Sequence, residues 1–121
     1  MNTGKKILVV EDEKPIAHAL ELKLTHEGYE VVVAGNGEEA MKLTEEQKFD
    51  LIILDLIMPK MTGFEMLEEL KKKRNTTPVV VTSNLGQEED LLRAKDLGAK
   101  SYFIKSDTPL ADLVHNIKQY L

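Results

Sequence analysis

Residues 51–63 read Leu-Ile-Ile-Leu-Asp-Leu-Ile-Met-Pro-Lys-Met-Thr-Gly. An apolar run of the kind a fold buries, residues 51–54, is followed by one carboxylate at Asp55, and the chain then breaks at Met58-Pro59. A lone charge in apolar surroundings costs several kcal/mol unless it is paired or bound to a metal. Something else must therefore share the place where Asp55 sits.

Four further apolar runs match this one in length: residues 7–10, 31–34, 79–81 and 102–104. They are continuous rather than alternating and mostly β-branched, which predicts strands covered on both faces, as in a parallel sheet. Between them lie segments of helical periodicity. Pro15 opens the first, whose apolar stripe is Ile16, Leu20 and Leu24, and Gly28 closes it. Asn36 is placed to cap the second, which carries Ala40 and Leu43, and Gly63 leads into a third with Met66, Leu67 and Leu70. The fourth carries Leu91, Ala94 and Leu97 and stops at Gly98, a residue suited to the left-handed position beyond a helix. The last is expected to take Thr108 as its cap and Pro109 as its first residue, running through Leu110, Leu113, Val114, Ile117 and Leu121.

Five strand-helix pairs with short connections predict an α/β fold, a doubly wound five-stranded parallel sheet with right-handed crossovers and helices on both faces. Every β-to-α turn then falls at the carboxyl edge of the sheet, where open α/β sheets place their sites. With 121 residues, 42% of them hydrophobic, the chain fits one domain over 1–121, able to bury about two-thirds of its unfolded surface. No output domain is expected within it.

The absence of cysteine excludes disulfide frameworks, thiolate zinc sites and Cys nucleophiles and fits a reducing compartment, so a cytoplasmic protein is expected. The start, MNTGKKILVVEDE, has too short an apolar run for a signal peptide or a membrane span. The net charge is −5. The basic patch Lys71-Lys72-Lys73-Arg74 reads as a solvated helix end, where cations meet the negative pole of the helix. No direct contact with nucleic acid is expected from these residues.

Charged residues gather on the carboxyl edge. Glu11-Asp12-Glu13 follows the first strand, Asp55 the third and Lys105 the fifth. Carboxylates within ~4–6 Å of one another resist joint ionisation unless a cation is present. Lys105 alone does not balance several acids, so a hard divalent ion is implied, and Mg2+ suits a site of few carboxylates, retained waters and a phosphate oxygen. Asp55 is then placed to attack phosphorus and form an aspartyl phosphate. The fourth strand offers hydroxyls at Thr82 and Ser83, which point to opposite faces; the pattern alone does not choose between them. Taken singly, these acids also read as solvated loop charges, and Asp12 as the cap of the first helix. It is their convergence from three loops that favours a site.

ILVVEDE, DLIILDLIMPKMTG, PVVVTSNLGQEEDLLRAKDLGAKSYFIK and the amphipathic last helix together resemble the receiver domain of two-component response regulators, over residues 5–120. The resemblance implies the strand order 2-1-3-4-5, for which receivers are themselves a standard example. It implies Asp55 as phosphoacceptor, assisted by Lys105 and by Ser83 rather than Thr82. Magnesium would be held by Glu11, Asp12, Asp55 and the backbone carbonyl of Ile57, and Tyr102 would be an aromatic switch paired with Ser83. The implied partners are a sensor histidine kinase or phosphotransfer protein, and a downstream protein reading the face of the fourth helix, fifth strand and fifth helix. A homodimer on activation would use the same face. Such a protein is a signalling phosphoacceptor, catalysing only its own phosphorylation and dephosphorylation. Apolar Ile57 and Leu85 beside the path of the hydrolytic water imply a long-lived phosphoryl group.

Two positions depart from the family pattern. Ser106 stands where a proline is usual, which predicts a trans bond or an altered loop after Lys105, and Asn84 stands in place of a small residue. These departures keep open an alternative, a receiver-fold interaction module that is not phosphorylated. A magnesium-dependent phosphatase or nucleotide enzyme would want a glycine-rich loop after the first strand, and VVEDEKP has none. His18, His26 and His115 lack metal-ligand spacing and read as structural or surface residues.

Overall fold

The computed structural model describes residues 3–121. Each apolar run becomes a strand: β1 is Lys6–Val10, β2 Glu30–Ala34, β3 Leu51–Asp55, β4 Val79–Ser83 and β5 Ser101–Ile104. All pairings are parallel and the order is β2-β1-β3-β4-β5, as the resemblance implied. The register aligns Val10 with Leu54, Asp55 with Thr82 and Ser83 with Ile104, so the strands end nearly level. Asp55 and Ser83 are final strand residues rather than loop residues, because the ladder runs one or two residues past the last apolar side chain.

Helices α1 (Lys14–His26), α2 (Gly37–Glu46), α3 (Gly63–Lys72), α4 (Glu88–Asp96) and α5 (Leu110–Ile117) form the crossovers, and a 3-10 turn, Lys118–Tyr120, extends the last. The pleat divides each central strand between two cores. Leu8, Ile52, Leu54 and Val81 pack with Met41, Met66, Leu67 and Ala94 from α2, α3 and α4. Ile7, Val9, Ile53 and Val80 pack with Leu20 and Leu24 of α1 and with Leu113, Val114 and Ile117 of α5. Helices thus cover both faces. The expectation of two-sided burial holds in full for β3 and β4. Edge strands β2 and β5 are largely half-buried, having one neighbour each.

Helix ends follow local chemistry. Asn36 caps α2 by accepting from the Glu39 N–H at 2.9 Å. Thr62 and Glu65 cap α3 reciprocally. Gly28 and Gly98, at φ +96° and +106°, take the left-handed position after α1 and α4. Two expected caps differ. Asp12 does not cap α1; the N-cap is Glu13, whose carbonyl accepts from Ala17. Thr108 does not cap α5 either. Pro109 itself is the N-cap, because its extended ψ of 146° leaves it outside the helix while its carbonyl accepts from Asp112 and Leu113. Among the described residues no helix is long and apolar enough to cross a membrane.

Gly63 locks the turn below Asp55. Its N–H donates to the Leu56 carbonyl at 2.9 Å, and a Cβ there would lie 2.5 Å from the Asp55 carbonyl oxygen and 2.6 Å from Leu56 Cα. Neither backbone atom can yield without moving the end of β3. Gly63→Ala is expected to lower stability by about 1–3 kcal/mol, read as a lower urea midpoint; an unchanged midpoint would show that the turn has slack.

Candidate functional site

The carboxyl ends of β1, β3 and β5 deliver the charged residues. Glu11 follows β1 and is held by its N–H on the Ala34 carbonyl of β2, at 3.0 Å. Asp55 ends β3. Lys105 follows β5, its N–H on the Ser83 carbonyl at 2.9 Å. Carboxylate oxygens of Glu11, Asp12 and Asp55 all lie within 4.8 Å of one another. The Lys105 ammonium reaches in from two strands away, 3.1 Å from Asp55 Oδ2 and 2.5 Å from Glu11 Oε1. The three acids and the lysine converge as the sequence predicted.

Burial is uneven. Glu11 and Asp55 are only 3% and 5% exposed, while Asp12 faces solvent at the rim. Burial, and then the charge of Asp55, push the Glu11 carboxyl up to about 7, against the opposing pull of Lys105. Burial also works against the Lys105 ammonium, but its contacts with Glu11 and Asp55 outweigh that cost and hold its pKa above the ordinary lysine value. Glu11 Oε1 meets the ammonium at 2.5 Å, and its other oxygen accepts from the Glu13 N–H at 3.2 Å. One ammonium is thus shared by Glu11 and Asp55, with Asp12 close by, which leaves more acidic groups than cationic ones at this edge. The donor set, hard oxygens from closely spaced acids with an excess of negative charge, fits magnesium and does not suit a soft metal.

The loop after β3 turns back over the carboxylate. The Ile57 N–H donates to Asp55 Oδ1 at 3.3 Å, and the Ile57 side chain is 58% exposed above it. Ser83 is fully buried, its Oγ accepting from the Leu85 N–H at 3.2 Å. Thr82 is buried as well. Neither hydroxyl bonds to Asp55 among the described hydrogen bonds, so the geometry does not add to the resemblance in choosing Ser83. Tyr102 is half-buried against the core that includes Val81. Its hydroxyl donates to the Leu85 carbonyl at 2.6 Å, and burial raises its pKa.

Sequence reasoning missed the Tyr102 bond to Leu85 and a bond from the Ser106 N–H to Asn84. Only the last had a signal, an amide side chain beside the site. The peptide bond after Lys105 is trans. Of the three histidines, His18 lies on the wall of a recess of about 510 Å³ beside Glu11 and Asp12, with Ala17, Val33 and Pro59. His26 and His115 are exposed on α1 and α5. A recess of similar size, lined by Met41, Phe49, Leu70 and Lys73, contains none of the clustered acids.

The family model "Response regulator receiver domain" matches residues 7–118. The chain is 39% identical over 106 residues to the alkaline phosphatase synthesis transcriptional regulatory protein PhoP of Bacillus subtilis, covering 88% of this chain and 44% of that protein. It is 39% identical over 108 residues to the probable transcriptional regulator ycf27 of Porphyra purpurea, covering 89% and 44%. It thus spans less than half the length of these curated relatives. Among solved structures, the Francisella response regulator 1452 receiver domain superposes with a TM-score of 0.91 at 29% identity, covering 96% of this chain and 95% of that one. The response regulator TrrA of Thermotoga maritima, in complex with Mg2+-BeF, superposes at 0.85 with 35% identity, covering 97% and 99%.

The raised Glu11 gives a pH dependence whose sign is fixed. In the unfolded chain this carboxyl ionises near 4.5, while in the folded protein it keeps its proton up to about 7. Its contribution to stability is therefore full below pH 4.5 and is lost as pH rises through 7. In chelator, the thermal midpoint should fall between pH 5 and pH 8 by an amount that Glu11→Gln largely abolishes. Parallel pH profiles for the two proteins would refute the assignment.

Proposed function

The chain belongs to the response regulator receiver family of two-component signalling, and from that premise we propose that it is a phosphoacceptor whose Asp55 takes a phosphoryl group from a sensor histidine kinase or phosphotransfer protein. The observation that carries this is the buried Asp55 carboxylate set within 4.8 Å of the oxygens of Glu11 and Asp12 and 3.1 Å from an ammonium. Glu11, Asp12, Asp55 and the Ile57 carbonyl would hold Mg2+, which when bound neutralises charge on the phosphoryl oxygens. TrrA, solved with Mg2+-BeF at 35% identity, supports that choice of ion.

An Asp55 oxygen attacks phosphorus in line as the bond from phosphorus to the donor imidazole nitrogen breaks, and that electron pair returns to the ring. No proton need leave Asp55, because it reacts as the carboxylate. Lys105 supplies the cation that follows the charge from carboxylate to phosphoryl oxygen, and the buried setting makes each contact stronger than it would be in water. The new charge, about −1.5 to −2 by analogy with other phosphorylated side chains, is read by Ser83 and Lys105. A shift of Ser83 reaches Tyr102 through Leu85, whose N–H bonds to Ser83 Oγ and whose carbonyl accepts from the Tyr102 hydroxyl. The surface of α4, β5 and α5 then changes for a downstream protein or for a second copy, a population shift between two packings. Two curated relatives are transcriptional regulators more than twice the matched length, so contact with nucleic acid is assigned to regions outside this match. The reaction belongs in the cytoplasm, in keeping with a chain free of cysteine.

Intact-mass measurement after incubation with a small acyl phosphate and Mg2+ tests the assignment. One phosphoryl group should be gained, and Asp55→Asn should gain none. An unmodified wild-type chain would favour an interaction module instead. A second measurement concerns lifetime. Ile57 is exposed and Leu85 half-buried, and the resemblance puts both beside the path of the hydrolytic water, so replacing both with Asn or Glu should shorten the half-life of the phosphorylated protein several-fold. Equal half-lives would remove that role.

A further inference from the structure

We propose that Asn84 is a positioning residue for Lys105, its side chain adding one rung to the β4–β5 ladder beyond the point where the strands part. The inference rests on the phosphoacceptor reading. The last paired residues are Ser83 and Ile104. Past them, the Lys105 N–H donates to the Ser83 carbonyl at 2.9 Å, and the Ser106 N–H donates to Asn84 Oδ1 at 3.2 Å. The peptides before and after Lys105 are therefore both tied to the end of β4, one by backbone and one by the Asn84 side chain.

Two peptide planes flanking one Cα fix its φ and ψ and hence the direction in which the side chain leaves the backbone. For Lys105 this matters more than for most residues. Its ammonium stands at the far end of a long flexible stem and must arrive between Asp55 Oδ2, at 3.1 Å, and Glu11 Oε1, at 2.5 Å. A small tilt at Cα is magnified along the stem, and a small misplacement of a charged group costs rate. Farther on, the turn closes within its own segment, from the Asp107 N–H to the Ile104 carbonyl at 3.0 Å, and adds no tie to β4. Tyr102 makes its tie on the other side of Lys105. Asn84 is exposed and shares no described hydrogen bond with Glu11, Asp12 or Asp55, so its effect passes through Lys105.

The test measures the rate of Asp55 phosphorylation by a small acyl phosphate in Mg2+, alongside Mg2+ affinity and thermal midpoint. The variants are Asn84→Ala, Lys105→Ala, Ser106→Pro, and Asn84→Ala combined with each of the other two. Asn84→Ala alone should slow phosphorylation about three- to tenfold, the size expected of one hydrogen bond, with affinity and midpoint nearly unchanged. It should be silent where Lys105 is already alanine, and silent again where Ser106→Pro has removed the N–H that Asn84 accepts. A wild-type rate in Asn84→Ala, or the same slowing in both backgrounds, would overturn the proposal. A wild-type chain that takes no phosphoryl group would instead overturn the phosphoacceptor reading. In that case exchange of the Ser106 amide hydrogen, expected to speed up in Asn84→Ala, decides whether the rung exists.

Discussion

Two carboxylates in this protein are buried side by side, and the fold is committed to satisfying them. Glu11 and Asp55 are almost wholly out of water, and the ammonium between them is the one cation in contact with both among the described residues. Breaking a buried pair by removing one partner commonly costs several kcal/mol. Even so, one cation does not settle two acids. Burial first, and then the charge of Asp55, push the Glu11 carboxyl up to about 7. Such a site is electrostatically short of positive charge, and that shortage is what the proposed divalent cation would relieve.

The architecture produces this shortage by geometry. Parallel strands of nearly equal length place every carboxyl end on one edge, and the order β2-β1-β3-β4-β5 puts the acids of β1 and β3 on adjacent strands. Lys105 crosses from β5 over β4, so its contacts with Asp55 and Glu11 span three and four strands and depend on the register of each. Two rigid cores on the faces of the sheet hold that register, since a slip of one residue would exchange the cores and turn Asp55 to the other side. Apolar packing therefore sets the electrostatics, although the two share almost no residues.

The loops at this edge are held unevenly. Gly63 brings α3 against the backbone of Asp55 and Leu56 with no room for a side chain, which makes the loop after Asp55 stiff. The loop after β4 is tied to β5 and the residues after it by single hydrogen bonds at Leu85 and Asn84, each modest in net strength. In the proposed phosphoacceptor, a stiff Asp55 loop beside a lightly tied one divides the labour of a switch, with one element fixed for chemistry and one free to change partners.

Much of this was legible in the chain itself. Apolar runs and helical periods gave the alternation of elements, and acids at two strand ends with a lysine at a third gave the site, because both depend on local pattern and on the cost of burying charge. Strand ends were less legible. Asp55 and Ser83 extend the ladder past the last apolar residue, and that depends on a neighbouring strand still being there to pair with. The caps of α1 and α5 also escaped, since Glu13 and Pro109 cap with backbone carbonyls that any residue carries. Sequence pointed to acids meeting Lys105 and to Asn84 as an amide beside the site, but not to the contact distances or to Ser106 as the donor. Residues 94 and 22 positions apart in the chain come together only after the sheet fixes their separation. Sequence thus determined which groups had to be satisfied, because hydrophobicity and charge are properties of residues. Tertiary structure decided which partner satisfies each, because distance is a property of the folded whole.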